Sequence, residues 1–162
     1  VNIPAGDWVV FPEGNQPPTP ITSAEGADSN TTAPDPNLKI QLVDFAFGGF
    51  SKVMAGPQIW EISNLGEQPH MLSLSKVPDG TTLAQVLNTV TAMDMGTPSA
   101  DALTEDQIQS VPNGVLLLST GQTMYLPLTL DQSTYLALCF VTDPNTGMLH
   151  VMEGMVAVFK TM

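Results

Sequence analysis

The chain has 162 residues, a length that fits one domain with a substantial core, and 43% of them are hydrophobic. It carries 16 acidic residues against four lysines and no arginine, a formal net charge of −12, which argues against nucleic acid and against docking on an anionic membrane surface. No run approaches the roughly 20 apolar residues of a membrane span, and the single cysteine, Cys139, excludes an internal disulfide.

In chain order, residues 3–11 (IPAGDWVVF) read as a short strand. Residues 13–37 hold five prolines, two glycines and many small polar side chains. That composition buries too little apolar surface to offset its ordering entropy and reads as a linker or draped loop. The organisation expected is an extension over 1–37 and a domain over 38–162. From Leu38 onwards the signals turn to β. Residues 38–47 (LKIQLVDFAF) alternate through Ile40, Leu42 and Phe45 and are closed by Gly48-Gly49. Further alternating runs lie at 58–64, 71–76, 115–118, 123–130, 134–141 and 155–161, with Pro, Gly, Asn or Asp between them. Seven strands at this spacing predict an all-β sandwich or barrel. One helical insertion interrupts them: Thr81-Thr82 caps residues 83–90, whose Leu83, Val86, Leu87 and Val90 share a face. Residues 93–101 read as loop and 104–110 as a short helical turn.

Three rare, ligand-competent side chains fall in or beside the β region: His70 in NLGEQPHML, Cys139 at the end of YLALC, and His150 in TDPNTGMLH, with Met155 following. Two imidazoles, a thiolate and a weak thioether form the ligand set of blue copper, which suits both oxidation states of the metal. Each residue also has a plain structural use. Cys139 suits a core strand as a small hydrophobe, His70 a hydrogen-bonded loop, His150 an exposed turn and Met155 the core beside Val156. Of the nine methionines, Met148 and Met152 flank His150 and Met71 adjoins His70. Met148, Met152 and Glu153 are therefore alternative fourth ligands, and a thioether cluster would favour Cu(I).

Gly66-Glu67-Gln68-Pro69-His70, Cys139-Phe140-Val141-Thr142-Asp143, His150, Gly154-Met155 and Phe159 resemble the motifs of the plastocyanin and azurin class of copper proteins, the cupredoxins. The resemblance covers residues 38–162 and leaves 1–37 outside it. It implies a cupredoxin-like Greek-key β-sandwich with one copper ion on His70, Cys139 and His150 and with Met155 as axial ligand. Ten residues separate Cys139 from His150, more than in plastocyanin-like loops, and Met71 follows His70 where many members have asparagine. The function implied is electron transfer to a protein redox partner, with His150 as the edge nearest solvent and Met148, Leu149, Val151 and Met152 as a docking patch. Two other readings are a Cu(I)-handling module and a metal-free adhesion or assembly domain. Nucleophile-elbow, zinc-protease, phosphate-loop and Cys-x-x-Cys motifs are missing, so no catalysis is expected. The start at Val1 and the low charge content fit an extracytoplasmic protein whose signal or anchor has been removed.

Overall fold

The computed structural model describes residues 6–10, 19–23, 32–97 and 99–162, and the chain divides into two units, Val1–Ala33 and Pro34–Met162. The first holds an antiparallel hairpin of β1 (Gly6–Val10) and β2 (Thr19–Ser23), with Gly6 opposite Ser23 and Val10 opposite Thr19. The strand expected at 3–11 is present in part. The linker expected over 13–37 contains a strand: ladder pairing with β1 gives partners to the groups of Thr19–Ser23 that face it, which composition alone does not register.

The second unit is a sandwich. One sheet has the order β4-β3-β5-β8 and the other β10-β9-β6-β7. Their strands are β3 (Leu38–Val43), β4 (Ala46–Gly48), β5 (Gly56–Asn64), β6 (His70–Val77), β7 (Gln109–Leu118), β8 (Thr123–Leu130), β9 (Thr134–Leu138) and β10 (Val156–Lys160). β3 and β5 pair in parallel and the other neighbours antiparallel. Two sheets and one helix give the all-β sandwich with a helical insertion that the sequence leads one to expect.

Period-2 alternation decides which side chains enter the core. In β5, Gln58, Trp60, Ile62 and Asn64 point inward. In β6, Leu72 and Leu74 meet Ile40 and Leu42 of β3 in one buried cluster. β9 is buried on both faces. Tyr135, Ala137 and, one step past the strand, Cys139 join the inter-sheet core, while Leu136 and Leu138 pack outward against Val86 and Val90 of the helix α1 (Leu83–Met95). That double coverage is why YLALC reads as a nearly continuous apolar run.

Three local expectations are corrected. Residues 38–47 form two strands, because the chain reverses at Asp44-Phe45 and Val43 pairs with Ala46. The alternation through Phe45 therefore crosses a turn. The helix runs past Val90 to Met95 and stops at Gly96, whose φ of 63° is the left-handed geometry of a helix C-terminus. Leu83 lies half exposed while Thr89 is buried, its hydroxyl donating to the Gln85 carbonyl and accepting from the Leu103 N–H. Only Glu105–Gln107 is helical in the turn expected over 104–110, and β7 begins at Gln109.

Candidate metal centre

Strand ends bring the candidate residues to one end of the sandwich. His70 opens β6. Cys139 continues the inward face of β9, and its N–H donates to the Met155 carbonyl (3.2 Å), so the last residue before β10 lies opposite it. His150 arrives on the loop between them. The ten intervening residues are a compact hairpin: His150 N–H to Val141 carbonyl (2.8 Å), Asp143 N–H to Met148 carbonyl (2.8 Å), and Thr142 bridged to Leu149. Val151 N–H then bonds the Cys139 carbonyl (2.9 Å) and Met155 N–H the His150 carbonyl (2.9 Å). The long Cys-to-His interval thus returns the chain to the point where His150 faces Cys139.

A nitrogen of each imidazole and the thiol sulfur lie within 4.8 Å of one another, and all three side chains are buried. The two Nδ1 atoms stand 3.1 Å apart, and Cys139 Sγ is 3.4 Å from Nδ1 of His150. The far nitrogens are occupied. Nε2 of His70 meets Oδ1 of Asp44 at 2.5 Å, and Nε2 of His150 meets Oε1 of Gln68 at 3.1 Å. An ionised carboxylate and an amide oxygen only accept hydrogen bonds, so each Nε2 carries the proton. In the neutral ring each Nδ1 then keeps its lone pair, and the two Nδ1 atoms face each other. Two lone-pair nitrogens at that distance repel unless a proton or a cation stands by them, and a soft thiol beside two imidazoles matches a copper or zinc donor set.

The electrostatics favour the neutral imidazole of His150. Burial first, and then the neighbouring His70, hold His150 below the usual histidine range. Burial pushes the Cys139 thiol up, against the opposing backbone N–H groups of Met71 and Val141; the Met71 N–H lies 3.2 Å from the sulfur. A thiolate at this position therefore needs a compensating cation. Asp44 is lowered despite the opposing effect of burial, through the Glu67 N–H and His70.

Met155 is fully buried in the same core cluster as Cys139. Met148 and Met152 are 46% and 37% exposed. Glu153 is half-buried, one carboxylate oxygen accepting from Thr146 and the other without a partner among the described residues. Two expectations about solvent access are corrected. His150 is fully buried, its ring covered by Phe45 at a centroid distance of 4.8 Å and its Nε2 by Gln68, and Val151 is buried against the helix-side core. Between Cys139 and β10 the exposed large apolar residues are Phe140, Met148 and Met152.

Three supporting residues were not legible as such. Asp44 is presented by the β3–β4 reversal. Asn64, fully buried at the end of β5, donates through Nδ2 to the carbonyls of Gln68 (2.8 Å) and Leu118 (3.0 Å) and accepts the Gly66 N–H (2.9 Å). Gly66 is needed for space: a Cβ there would lie 2.5 Å from Nε2 of His70 and closer still to the Asp44 carboxylate. The Asn-Leu-Gly run signals a turn, but the bond that ties it to Leu118 spans 54 positions.

No family model and no curated protein matches the chain. Among solved structures it is similar to the dithionite-reduced auracyanin of the photosynthetic bacterium Roseiflexus castenholzii, at 20% identity over 76% of this chain and 94% of that one, TM-score 0.47. It is also similar to auracyanin A, a blue copper protein of Chloroflexus aurantiacus, at 19% identity over 76% and 96%, TM-score 0.44. A multi-copper oxidase from Pediococcus acidilactici aligns at 12% identity over 84% of this chain and 29% of its own length, TM-score 0.37.

Proposed function

We propose that the chain is a mononuclear copper protein of the electron-transfer kind, holding one ion through Nδ1 of His70, Sγ of Cys139 and Nδ1 of His150, with the Met155 thioether as the weak fourth ligand. The observation that carries the reading is the convergence of two lone-pair nitrogens and a thiol in one buried space, each imidazole tethered by its other nitrogen. Copper, when bound, supplies a one-electron couple between Cu(I) and Cu(II), for which this mixed soft and borderline donor set is suited.

The chain's own residues do the rest. The sandwich fixes Cys139 and Met155 opposite each other across a backbone hydrogen bond. The Met71 N–H donates to the sulfur and stabilises its charge. Phe45 and Gln68 cover His150 and keep water from the donors. Fixed donors change little between oxidation states, which keeps the rearrangement accompanying electron transfer small. Phe140, Met148 and Met152 give an exposed apolar patch beside the site for a protein redox partner, and the net charge of −12 steers a cationic one. The low charge content, with its many Thr, Ser, Asn, Gln and Pro residues, supports a periplasmic or secreted location; no helix of the described residues is long and apolar enough to cross a membrane.

The exposed Met148 and Met152 favour a second reading, a module that holds and hands over Cu(I). A redox cycle separates the two. The electron-transfer reading expects a coloured Cu(II) form, bleached by ascorbate and restored by ferricyanide through repeated cycles with the metal retained. Preferential binding of Cu(I), with loss of copper on oxidation, contradicts it and supports the handling module.

A further inference from the structure

The loop that lengthens the interval between Cys139 and His150 does more than return the chain. Its Asp143 is 3% exposed although it sits in a turn of otherwise exposed residues. Oδ1 of Asp143 accepts from the Asn145 N–H (2.9 Å), the Asn145 amide (3.0 Å) and Nε2 of Gln68 (3.0 Å), and Oδ2 lies 3.2 Å from the Thr146 hydroxyl. The contact to Gln68 crosses to a different element 75 residues away in sequence.

A glutamine amide has a donor end and an acceptor end that are nearly alike in shape, so its orientation is set by what each end meets. Facing a carboxylate, which only accepts, the Gln68 amide presents its NH₂ group. Its Oε1 is thereby turned to His150, where it lies 3.1 Å from Nε2. An acceptor at Nε2 places the ring proton there and frees Nδ1, the nitrogen that faces Cys139 and His70. With the amide reversed, its NH₂ group would face Nε2 and favour the tautomer carrying a proton on Nδ1, the wrong nitrogen for the site. His70 reaches the same state directly, through the Asp44 carboxylate.

We propose that Asp143 and Gln68 form a positioning relay in which the loop carboxylate fixes the Gln68 amide, and the amide fixes His150 as the Nε2–H tautomer with Nδ1 free to coordinate. The value of that tautomer for metal binding rests on the copper reading. The relay itself is a property of the metal-free protein and is tested there.

The experiment is long-range proton–nitrogen NMR of the histidine rings in the metal-free protein, followed by Cu(II) titration of the same samples. His150 is expected as the Nε2–H form in the wild type. In Gln68→Met, which keeps the volume and removes both amide ends, the Nδ1–H form becomes populated and Cu(II) affinity falls about 10–100-fold, the range for loss of a ligand's outer partner. Asp143→Ala gives the same tautomer change with Gln68 still in place, and Asp143→Asn, which retains Oδ1, rescues the Nε2–H form. The comparison of the two Asp143 variants decides the matter if Gln68→Met does not fold. A Gln68→Met protein that keeps a single Nε2–H tautomer and Cu(II) affinity within about twofold of wild type overturns the relay, as do Asp143→Ala and Asp143→Asn variants that behave alike. Failure of the wild type to take up copper, with the tautomer change intact, removes the copper reading and leaves the relay standing.

Discussion

Replacing Asn64 by alanine tests whether the site is held by the body of the sandwich or merely lies at its end. The side chain is fully buried and makes three hydrogen bonds, to the Leu118 carbonyl, the Gln68 carbonyl and the Gly66 N–H. The bonds to Leu118 and Gly66 are buried and the bond to Gln68 is partly so. A buried polar group left without its partner costs about 1–3 kcal/mol, so two such groups cost about 2–6 kcal/mol. Water entering the vacated space would bring the loss to the lower half of that range. Against a domain stability of about 5–15 kcal/mol the effect is large. It should appear in urea unfolding of the metal-free protein as a lower midpoint with an unchanged slope. Asn64→Asp, nearly the same in shape, keeps the acceptor for Gly66 but loses both donors and sets a carboxylate against two carbonyl oxygens. Its loss should be at least as great. A destabilisation under about 0.5 kcal/mol for either variant would refute the reasoning, because it would mean these groups find other partners without cost.

Gly66→Ala is expected to force apart Asp44 and His70, since the added carbon falls within 2.5 Å of Nε2 of His70. The overpacking costs about 1–3 kcal/mol, and Cu(II) affinity drops with it; an unchanged unfolding midpoint and unchanged affinity would show that the contact yields freely. Acid should act through Asp143, whose carboxyl is held below its ordinary value first by the Asn145 N–H and then, against the opposing effect of burial, by the Gln68 amide and the Thr146 hydroxyl. A depressed folded-state pKa gives stability that is present above the unfolded value of about 3.9 and lost as pH falls through the folded one. His150, held below the histidine range, already lowers the urea midpoint of the metal-free protein as pH falls through about 6.5, and Asp143 adds a further fall below about pH 4. The gap between wild type and Asp143→Asn should narrow over that fall, and a gap constant from pH 7 to 3 would contradict the assignment.

How far the fold was legible follows the range of the interactions involved. Strands such as Gly56–Asn64 and Thr123–Leu130 declare themselves because alternation is local and one face is buried. The reversal at Asp44-Phe45 was hidden because the residues on either side keep an alternating pattern through it. The β1–β2 hairpin was half hidden, since the proline-rich composition around Thr19–Ser23 outweighs a five-residue pairing.

At the site, His70, Cys139 and His150 were legible as rare residue types in a telling order, and the structure gathers all three. Their partners were not. Asp44, Asn64, Gln68 and Asp143 are common polar residues, and each has at least one contact across 20 or more positions, with the Asn64 bond to Leu118 spanning 54. The burial of His150 was likewise invisible, because a turn-rich segment such as TDPNTGMLH gives no sign that Phe45 and Gln68 will close over it.

The most direct test of the central claim is a Cu(II) titration of metal-free wild type and Cys139→Ala, followed by visible absorption and electron paramagnetic resonance. The account predicts saturation at one ion per chain with an intense thiolate-to-copper band in the wild type, and no such band in Cys139→Ala. An absence of saturable binding, or a visible spectrum identical in the two proteins, would contradict it and return His70, Cys139, His150 and Met155 to a structural role.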